Sequence, residues 1–183
     1  MEPHWPRLLG PKLYDKDFLD HESEDKYIKD KLKIRVANED DLFEIASFDR
    51  KYFDSPWSYE AFKNEFNNST SFIFIGELDK KTIAYLVIRI VSDEMEILKI
   101  LVEPDYRRKG IARSLLNKAL EIAQDLGLNI LYLEVSKKNL VALSLYKSFG
   151  FKEYEIRKDY YAKGEDAILM KLELPSDKEE QAA

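Results

Sequence analysis

The chain contains no cysteine and only two histidines, His4 and His21, both close to its N-terminus. Without thiols, the sequence excludes a disulfide framework and a cysteine nucleophile. The position of the two histidines likewise excludes a histidine-based catalytic triad or a histidine zinc site from the body of the chain. Any acid–base chemistry there must therefore use carboxylates, tyrosines, lysines or water.

Long apolar runs are also missing. The longest, from Thr82 to Val91, is interrupted by Arg89, whereas a membrane-spanning helix needs about 20 apolar residues. The first residues combine prolines with charged side chains and lack the pattern of a secretory leader. We therefore expect no interaction with a membrane and a location in the cytoplasm.

Positive charge is in the minority. The 183 residues include 29 Lys and Arg against 35 Asp and Glu, which gives a net charge of −6. Sequence-independent nucleic-acid binding depends on many Lys and Arg contacts with phosphates, so direct nucleic-acid binding is not expected. An acidic surface suits a cationic partner, such as a basic polypeptide.

The apolar pattern divides the chain into a body and two tails. Residues 1–31, with three prolines followed by a charged stretch, predict an N-terminal extension, and residues 175–183 predict a polar C-terminal tail. The extension either docks on the body, partly as helix, or remains a free tail. Residues 32–174 predict the order β-α-α-β-β-β-α-β-α-β-β, which indicates one α+β domain with a mixed sheet.

A short basic segment, Arg107-Arg108-Lys109-Gly110-Ile111-Ala112, is the most informative motif of the body. It follows the apolar run 97–102 and opens the helical pattern 112–126. The unpaired N–H groups and the dipole of a helix N-terminus favour anions, and glycine lets a phosphate approach the backbone. The motif therefore predicts an anion-binding loop, with a solvated basic turn as the alternative.

The spacing of this loop resembles the pyrophosphate loop of the GNAT acyl-CoA N-acyltransferases. Residues 131–139, 142–151 and 157–170, together with Ser55-Pro56-Trp57-Ser58, are similar to the RimI branch of that family. The resemblance covers residues 32–172. It implies the GNAT fold, a mixed sheet of six to seven strands with about four helices and a splay between two parallel central strands. It also implies acetyl-CoA as co-substrate and no metal.

The same resemblance implies the catalytic residues. Glu134, at the end of an apolar strand, corresponds to the general base that takes the proton of the acceptor amine. Tyr146 corresponds to the general acid that protonates the departing CoA thiolate. From the residues alone, Glu134 could equally belong to a structural ion pair, and Tyr146 could be a core aromatic of an amphipathic helix.

For CoA, the resemblance implies backbone contacts with the pantetheine arm and a loop for the pyrophosphate. The N–H of Val102 would also polarise the thioester carbonyl, and Asn139, which is placed to cap a helix, would hydrogen-bond to CoA. The implied CoA-binding residues are Ile100, Leu101, Val102, Arg107, Arg108, Lys109, Gly110, Ile111, Ala112, Arg113 and Asn139.

For the acceptor, the resemblance implies a narrow entrance. Tyr160 and Tyr161 are predicted in the turn between the last two strands, where paired tyrosines would admit an extended N-terminus but not a lysine flanked by its own backbone. Trp57 would form the opposite wall, or would simply cover core residues.

RimI-type enzymes acetylate the N-terminal alanine of a small-subunit ribosomal protein, and the resemblance implies that activity here, by direct attack in a ternary complex. An α-amine, with a pKa of about 7.7–8.0, needs only a weak base. The protein is expected as a monomer or weak homodimer. Three alternatives remain open: a broad-specificity N-terminal acetyltransferase of archaeal type, a GNAT acting on lysine or small amines, and a non-catalytic acyl-CoA-binding module.

Overall fold

A mixed sheet of seven strands runs through the computed structural model, which describes residues 25–53 and 55–175. The strands are β1 (Lys33–Val36), β2 (Ser71–Leu78), β3 (Lys81–Val91), β4 (Glu94–Val102), β5 (Ile130–Ser136), β6 (Lys152–Ala162) and β7 (Glu165–Glu173). They lie in the order β1-β2-β3-β4-β5-β7-β6. The β4–β5 pair is parallel and the other neighbours are antiparallel. The predicted mixed sheet is confirmed.

The described residues form five α-helices, against about four predicted. They are α1 (25–31), α2 (Asp41–Tyr52), α3 (Tyr59–Phe66), α4 (Ile111–Asp125) and α5 (Leu140–Ser148), with a 3₁₀ turn at Pro104–Tyr106. The additional helix, α1, comes from the predicted extension, and its Ile28 is buried in the core. The expectations for residues 1–24 and 176–183 lie outside the described residues.

Alternation along the strands separates two hydrophobic clusters. Met95 and Ile97 of β4 point to one face, which α1, α4 and α5 cover. Tyr85 and Leu101 point to the other face, which α2 and α3 cover with residues such as Phe62. Successive side chains of a strand point to opposite faces, so β2, β3 and β4 contribute to both clusters. We call the two sides the α4–α5 face and the α2–α3 face.

Polar side chains accept backbone N–H groups at or just before the starts of α2, α3 and α5. The side-chain oxygen of Asn38 accepts from the N–H of Asp40 at 2.9 Å, just before α2. Ser58 and Asn139 cap α3 and α5, each accepting a backbone N–H at 3.1 Å. Gly127, predicted to end α4, has a left-handed φ of +64°. These caps fix where the helices begin and end relative to the sheet.

The two parallel strands part halfway along their length, as predicted. Pairing runs only from Glu94–Ile130 to Ile97–Leu133, although β4 continues to Val102 and β5 to Ser136. A β-bulge lies at the same level, since Val87 of β3 pairs with Lys99 while the next residue pairs with Ile97. Leu98 is therefore an extra residue, and a bulge bends its strand. We call the space between the separated ends of β4 and β5 the gap.

Candidate active site

Backbone groups of β4 face the gap. The N–H of Glu103 donates to the carbonyl of Ile83 at 2.8 Å, which makes these two residues a hydrogen-bonded pair of the β3–β4 ladder. Such pairs alternate along an antiparallel ladder, so the N–H and C=O of Leu101 point to β3, and those of Ile100 and Val102 point to the gap. In this part of the described sheet, β5 has already moved away. The edge can accept an extended chain of amide groups, as an added strand would.

The predicted anion-binding loop leads from β4 into the N-terminus of α4. Gly110 is the residue before the first helical turn, with φ +83°, and Arg108 also has a positive φ of +62°. A Cβ atom at Gly110 would meet nothing within 4 Å, so the position needs glycine for its backbone angle rather than for space. The first N–H groups of α4 point outward from this end of the helix, as an anion site requires.

Several basic side chains of this region are held by other protein groups. Arg107 Nε donates to the carbonyl of Val102 at 3.0 Å and ties the loop to the end of β4. Arg113 Nη2 donates to Ser148 Oγ at 3.0 Å and connects α4 to α5. Lys109 Nζ lies 3.9 Å from a carboxylate oxygen of Asp25 in α1. The predicted cradle thus consists of backbone N–H groups surrounded by anchored cationic side chains.

Glu134 stands on the other side of the gap, at the first position of β5 beyond its pairing with β4. Its side chain is 28% exposed, and its Oε2 lies 3.1 Å from Arg157 Nη1. The negative charge of Glu134 and a hydrogen bond with it raise the pKa of Tyr160. Burial, followed by the charges of Glu134 and Tyr160, raises the pKa of Tyr161 to about 12. The carboxylate therefore sits among one guanidinium and two hydroxyls.

The tyrosine pair lies in β6 and not in the turn, so the predicted position is wrong. Arg157 pairs with Ala167 and Ala162 pairs with Glu165, so residues 158–161 bulge out of the β6–β7 ladder. The turn itself is at residues 163–164. Because β7 lies between β5 and β6, contact with the β5 carboxylate requires the bulge to reach over β7. The irregular register is what brings the tyrosines to the gap.

Tyr146 is both a core residue and a neighbour of this group. It is 5% exposed and packs against Phe151 with 5.9 Å between ring centroids. Burial raises the pKa of Tyr146 well above its ordinary value, and the charge of Tyr161 adds to the effect. The hydroxyl therefore keeps its proton at neutral pH. Tyr161 lies between Tyr146 on the α4–α5 face and Glu134 on the α2–α3 face, and so connects the two.

Trp57 lies on the β4 side of the gap, where it contacts a buried polar cluster. Its backbone N–H donates to Asp49 Oδ2 at 2.6 Å, and the hydroxyl of Tyr85 donates to the other carboxylate oxygen. Lys99 Nζ lies 3.0 Å from Asp49, 4.1 Å from the ring centroid of Phe53 and 5.2 Å from that of Trp57. Asp49 is fully buried, and burial lowers the pKa of Lys99.

Sequence reasoning gave no role to Asp49, Lys99 or Arg157. Lys99 interrupts the apolar run 97–102, and an isolated charge in such a run was the available signal. Asp49 lies on the buried side of α2, one turn after Ile45. Arg157 belongs to one of the family-like segments, but its pairing with Glu134 depends on the β6–β7 register.

An open groove of about 470 Å³ extends from Glu134 over the α2–α3 face. Its lining combines acidic, basic and aromatic side chains, among them Arg89, Glu94, Glu96, Tyr132, Tyr154 and Arg157. Arg89 is ion-paired with Glu65. The groove is long and polar, which suits a polypeptide better than a compact apolar ligand.

Two kinds of site are not found within residues 25–53 and 55–175. No group of three or more His, Asp or Glu side chains there could hold a metal ion. In the same ranges, no helix is long and apolar enough to cross a membrane.

Residues 39–151 match the sequence model of the acetyltransferase (GNAT) family. The chain belongs to this family. It is 36% identical over 121 residues to the [ribosomal protein bS18]-alanine N-acetyltransferase of Escherichia coli K12, covering 64% of this chain and 80% of that one. It is 30% identical over 151 residues to the N-alpha-acetyltransferase of Sulfurisphaera tokodaii, covering 75% of this chain and 90% of that one.

A solved structure supports the same assignment. The crystal structure of the ribosomal-protein-S18-alanine N-acetyltransferase from Escherichia coli matches with a TM-score of 0.74 and 30% identity, covering 80% of this chain and 97% of that chain. The predicted GNAT fold and the similarity to the RimI branch are confirmed.

Proposed function

We propose that this GNAT acetyltransferase transfers the acetyl group of acetyl-CoA to the N-terminal α-amine of a protein. The acceptor we favour is the N-terminal alanine of a small-subunit ribosomal protein, because that is the activity named for its E. coli relative. The observation that carries the proposal is the gap, where backbone groups of β4 that β5 does not pair with lie opposite a carboxylate of β5 flanked by two tyrosines. Such an enzyme would act in the cytoplasm on a basic polypeptide, which suits its net charge of −6.

The residues present fit acetyl-CoA. The gap-facing N–H and C=O of Ile100 and the N–H of Val102 can pair with the amides of a pantetheine arm, and the N–H of Val102 can also polarise a thioester carbonyl. The backbone of Leu101 points to β3, so we assign the pairing to its two neighbours. The pyrophosphate would lie at the segment from Arg107 to Arg113, against the N-terminus of α4. Asn139 would contribute its side chain from the start of α5.

The proton transfers can be assigned to Glu134 and Tyr146. The uncharged amine nitrogen attacks the thioester carbonyl carbon, and Glu134 takes the proton that leaves the nitrogen. As the C–N bond forms and the C–S bond breaks, the protonated hydroxyl of Tyr146 supplies a proton to the departing sulfur. The transfer is direct, in a ternary complex, because the chain has no cysteine to carry an acyl group.

The walls of the entrance favour an extended acceptor. Trp57 is held beside β4 by Asp49 and Lys99, while Tyr160 and Tyr161 reach the gap from the β6 side. An N-terminus can enter between them with its chain trailing into the groove. A lysine side chain must instead bring its own flanking backbone to the same opening.

A second candidate is a broad-specificity N-terminal acetyltransferase. The similarity to the Sulfurisphaera tokodaii N-alpha-acetyltransferase favours it, because that relative matches over 151 residues. The two candidates share the site and differ in how many first residues they accept.

Mass spectrometry of competing peptides tests the proposal. One peptide carries a free N-terminal alanine and no lysine, and the other is N-terminally blocked and carries one lysine. With acetyl-CoA, we expect acetate on the alanine amine at a rate at least 100-fold above that on lysine. Acetylation of lysine alone would refute the proposal. Replacing alanine with Ser, Met or Glu then separates the narrow from the broad specificity.

Gly110→Ala tests the anion-binding loop. A left-handed φ costs a non-glycine residue about 1–2 kcal/mol, so we expect that loss of stability together with a weaker Kd for CoA. Gly127→Ala is the matched control, since Gly127 also has a positive φ and open space but lies at the far end of α4. It should lose similar stability and keep the Kd for CoA. Equal CoA affinity in both variants would argue against the loop as the pyrophosphate site.

A further inference from the structure

We infer that Arg157 is a specificity-determining residue, whose fixed positive charge makes this site select an uncharged α-amine over the ammonium of a lysine or polyamine. The inference rests on the proposed function, because it assumes that Glu134 receives the proton of the acceptor. It assigns the preference for N-termini to electrostatics as well as to the shape of the entrance.

The position of Arg157 is fixed by the sheet. It pairs with Ala167 of β7 immediately before β6 leaves the ladder. From there its Nη1 reaches Glu134 Oε2 at 3.1 Å, while its Nε lies 3.5 Å from Glu155 Oε1. The guanidinium carbon lies 5.6 Å from the centroid of the Tyr160 ring. Glu134, Glu155 and the Tyr160 ring thus surround one cation, which is bonded to the proposed base.

The other titratable groups around Glu134 are acidic residues, cations paired with other carboxylates, or tyrosines. On β4, Glu94 and Glu96 lie along the groove and Lys99 is paired with Asp49. On β3, Arg89 is held by Glu65. On β6, the titratable neighbours are Tyr154, Tyr160 and Tyr161. The cation bonded to the carboxylate of Glu134 is Arg157.

This ion pair changes which form of the acceptor the site prefers. A bare carboxylate attracts an ammonium strongly, but a carboxylate already bonded to a guanidinium has much less charge left to offer. An ammonium at the free oxygen of Glu134 would also lie close to Arg157 and be repelled by it. A neutral amine experiences no such repulsion and can still donate a hydrogen bond to that oxygen. The pair therefore favours acceptors that reach the site uncharged.

The abundance of the neutral form then separates the acceptor classes. With a pKa of about 7.7–8.0, roughly one α-amine in ten is neutral at pH 7, whereas roughly one lysine in two thousand is. A site that binds only the neutral form therefore prefers α-amines to lysines by much of this factor of about two hundred. A site that accepts the ammonium and deprotonates it internally loses that part of the discrimination.

Removal of the charge gives the test. We compare kcat/KM at pH 7 for the alanine peptide, the blocked lysine peptide and spermidine, in the wild type and in Arg157→Gln. We expect the ratio of alanine peptide to lysine peptide to fall at least tenfold in Arg157→Gln, mainly through a lower KM for lysine and spermidine. Arg157→Lys keeps a positive charge and should retain at least half of the wild-type ratio. A loss of selectivity in Arg157→Lys equal to that in Arg157→Gln would overturn a role of charge.

Glu155→Gln is the matched control, because it removes the second carboxylate contact of Arg157 and leaves the bond to Glu134. Its ratio should stay within twofold of the wild type. A ratio in Arg157→Gln that also stays within twofold overturns the inference while leaving the proposed function intact. A wild type that prefers lysine or spermidine to the alanine peptide overturns both.

Discussion

Glu134→Gln is expected to lower kcat for N-terminal acetylation by two to four orders of magnitude, the range typical of a lost general base. Glutamine keeps the size and planarity of the side chain but cannot accept the proton of the amine. The Kd for acetyl-CoA should change by less than about twofold, since the proposed cofactor contacts lie on β4 and at the N-terminus of α4. The carboxylate is partly exposed, so the variant should fold like the wild type.

Single-turnover kinetics with the alanine peptide, combined with calorimetric titration of acetyl-CoA, measures both quantities. Glu155→Gln again serves as the control, because it also removes a carboxylate near Arg157 but at a position further from the gap, and it should keep kcat within about twofold. A parallel loss of turnover and acetyl-CoA affinity would contradict the assignment of Glu134 as base.

Much of the fold could be predicted because local signals and the overall pattern agree. Apolar alternation located the strands, and Asn139 marked the start of a helix with side-chain chemistry that acts within a few residues. The parallel β4–β5 pair and its splay came from the family resemblance, since periodicity alone does not specify which strands are neighbours. The predicted order already contains all seven strands, and α1 with its buried Ile28 realises the docked alternative for the part of the extension that the structure describes.

The irregular features could not be predicted from periodicity. The bulge at Leu98 places Lys99 on the α2–α3 face. Strict alternation would instead put Lys99 on the α4–α5 face, together with Ile97. The displaced residues 158–161 bring the tyrosines over β7, where a regular hairpin would have kept them at its end. Both are insertions of extra residues in one strand of a pair, and each re-aims side chains at the gap.

The contacts between the site residues and their partners also could not be predicted from the sequence. Glu134 was predicted as the base from the family resemblance, but its bond to Arg157 joins residues 23 positions apart on strands that do not pair with each other. Asp49 and Lys99 were overlooked for the same reason, since each is explained only by the other. A charged residue in an apolar segment indicates that a long-range charge pair exists. This local signal does not identify the partner residue.

Asp49→Ala is expected to lower the free energy of unfolding by about 3–5 kcal/mol, the cost of leaving one member of a buried ion pair uncompensated. The substitution strands the ammonium of Lys99, whose side chain is 9% exposed, and removes the acceptor for the N–H of Trp57 and the hydroxyl of Tyr85. Urea denaturation measures the change. Asp125→Ala, at an exposed site near the end of α4, is the control and should stay within about 0.5 kcal/mol.

The pH dependence of the stability of Asp49→Ala distinguishes the effect of the Lys99 charge from the effect of the lost hydrogen bonds. Burial already lowers the pKa of Lys99, and removal of Asp49 takes away the charge that opposes this effect. In the variant, folded Lys99 releases its proton below pH 10.4, while the unfolded chain holds it up to about that value. The unfolded state then binds more protons, so stability rises with pH in this window. Asp49→Ala should recover part of its lost stability between pH 7 and 10, relative to the wild type.

The double variant Asp49→Asn/Lys99→Met tests whether the stranded charge of Lys99 causes the loss of stability. It removes both charges, while the asparagine carbonyl can still accept from the N–H of Trp57, the asparagine NH2 can donate to the hydroxyl of Tyr85, and methionine fills the space of the lysine chain. We expect it to be more stable than Asp49→Ala by at least about 2 kcal/mol and to lack the recovery at high pH. If the double variant is as unstable as Asp49→Ala, the uncompensated charge of Lys99 is not the cause of the lost stability. In either case Trp57 depends on Asp49, so the KM for the alanine peptide should rise more in Asp49→Ala than in the double variant.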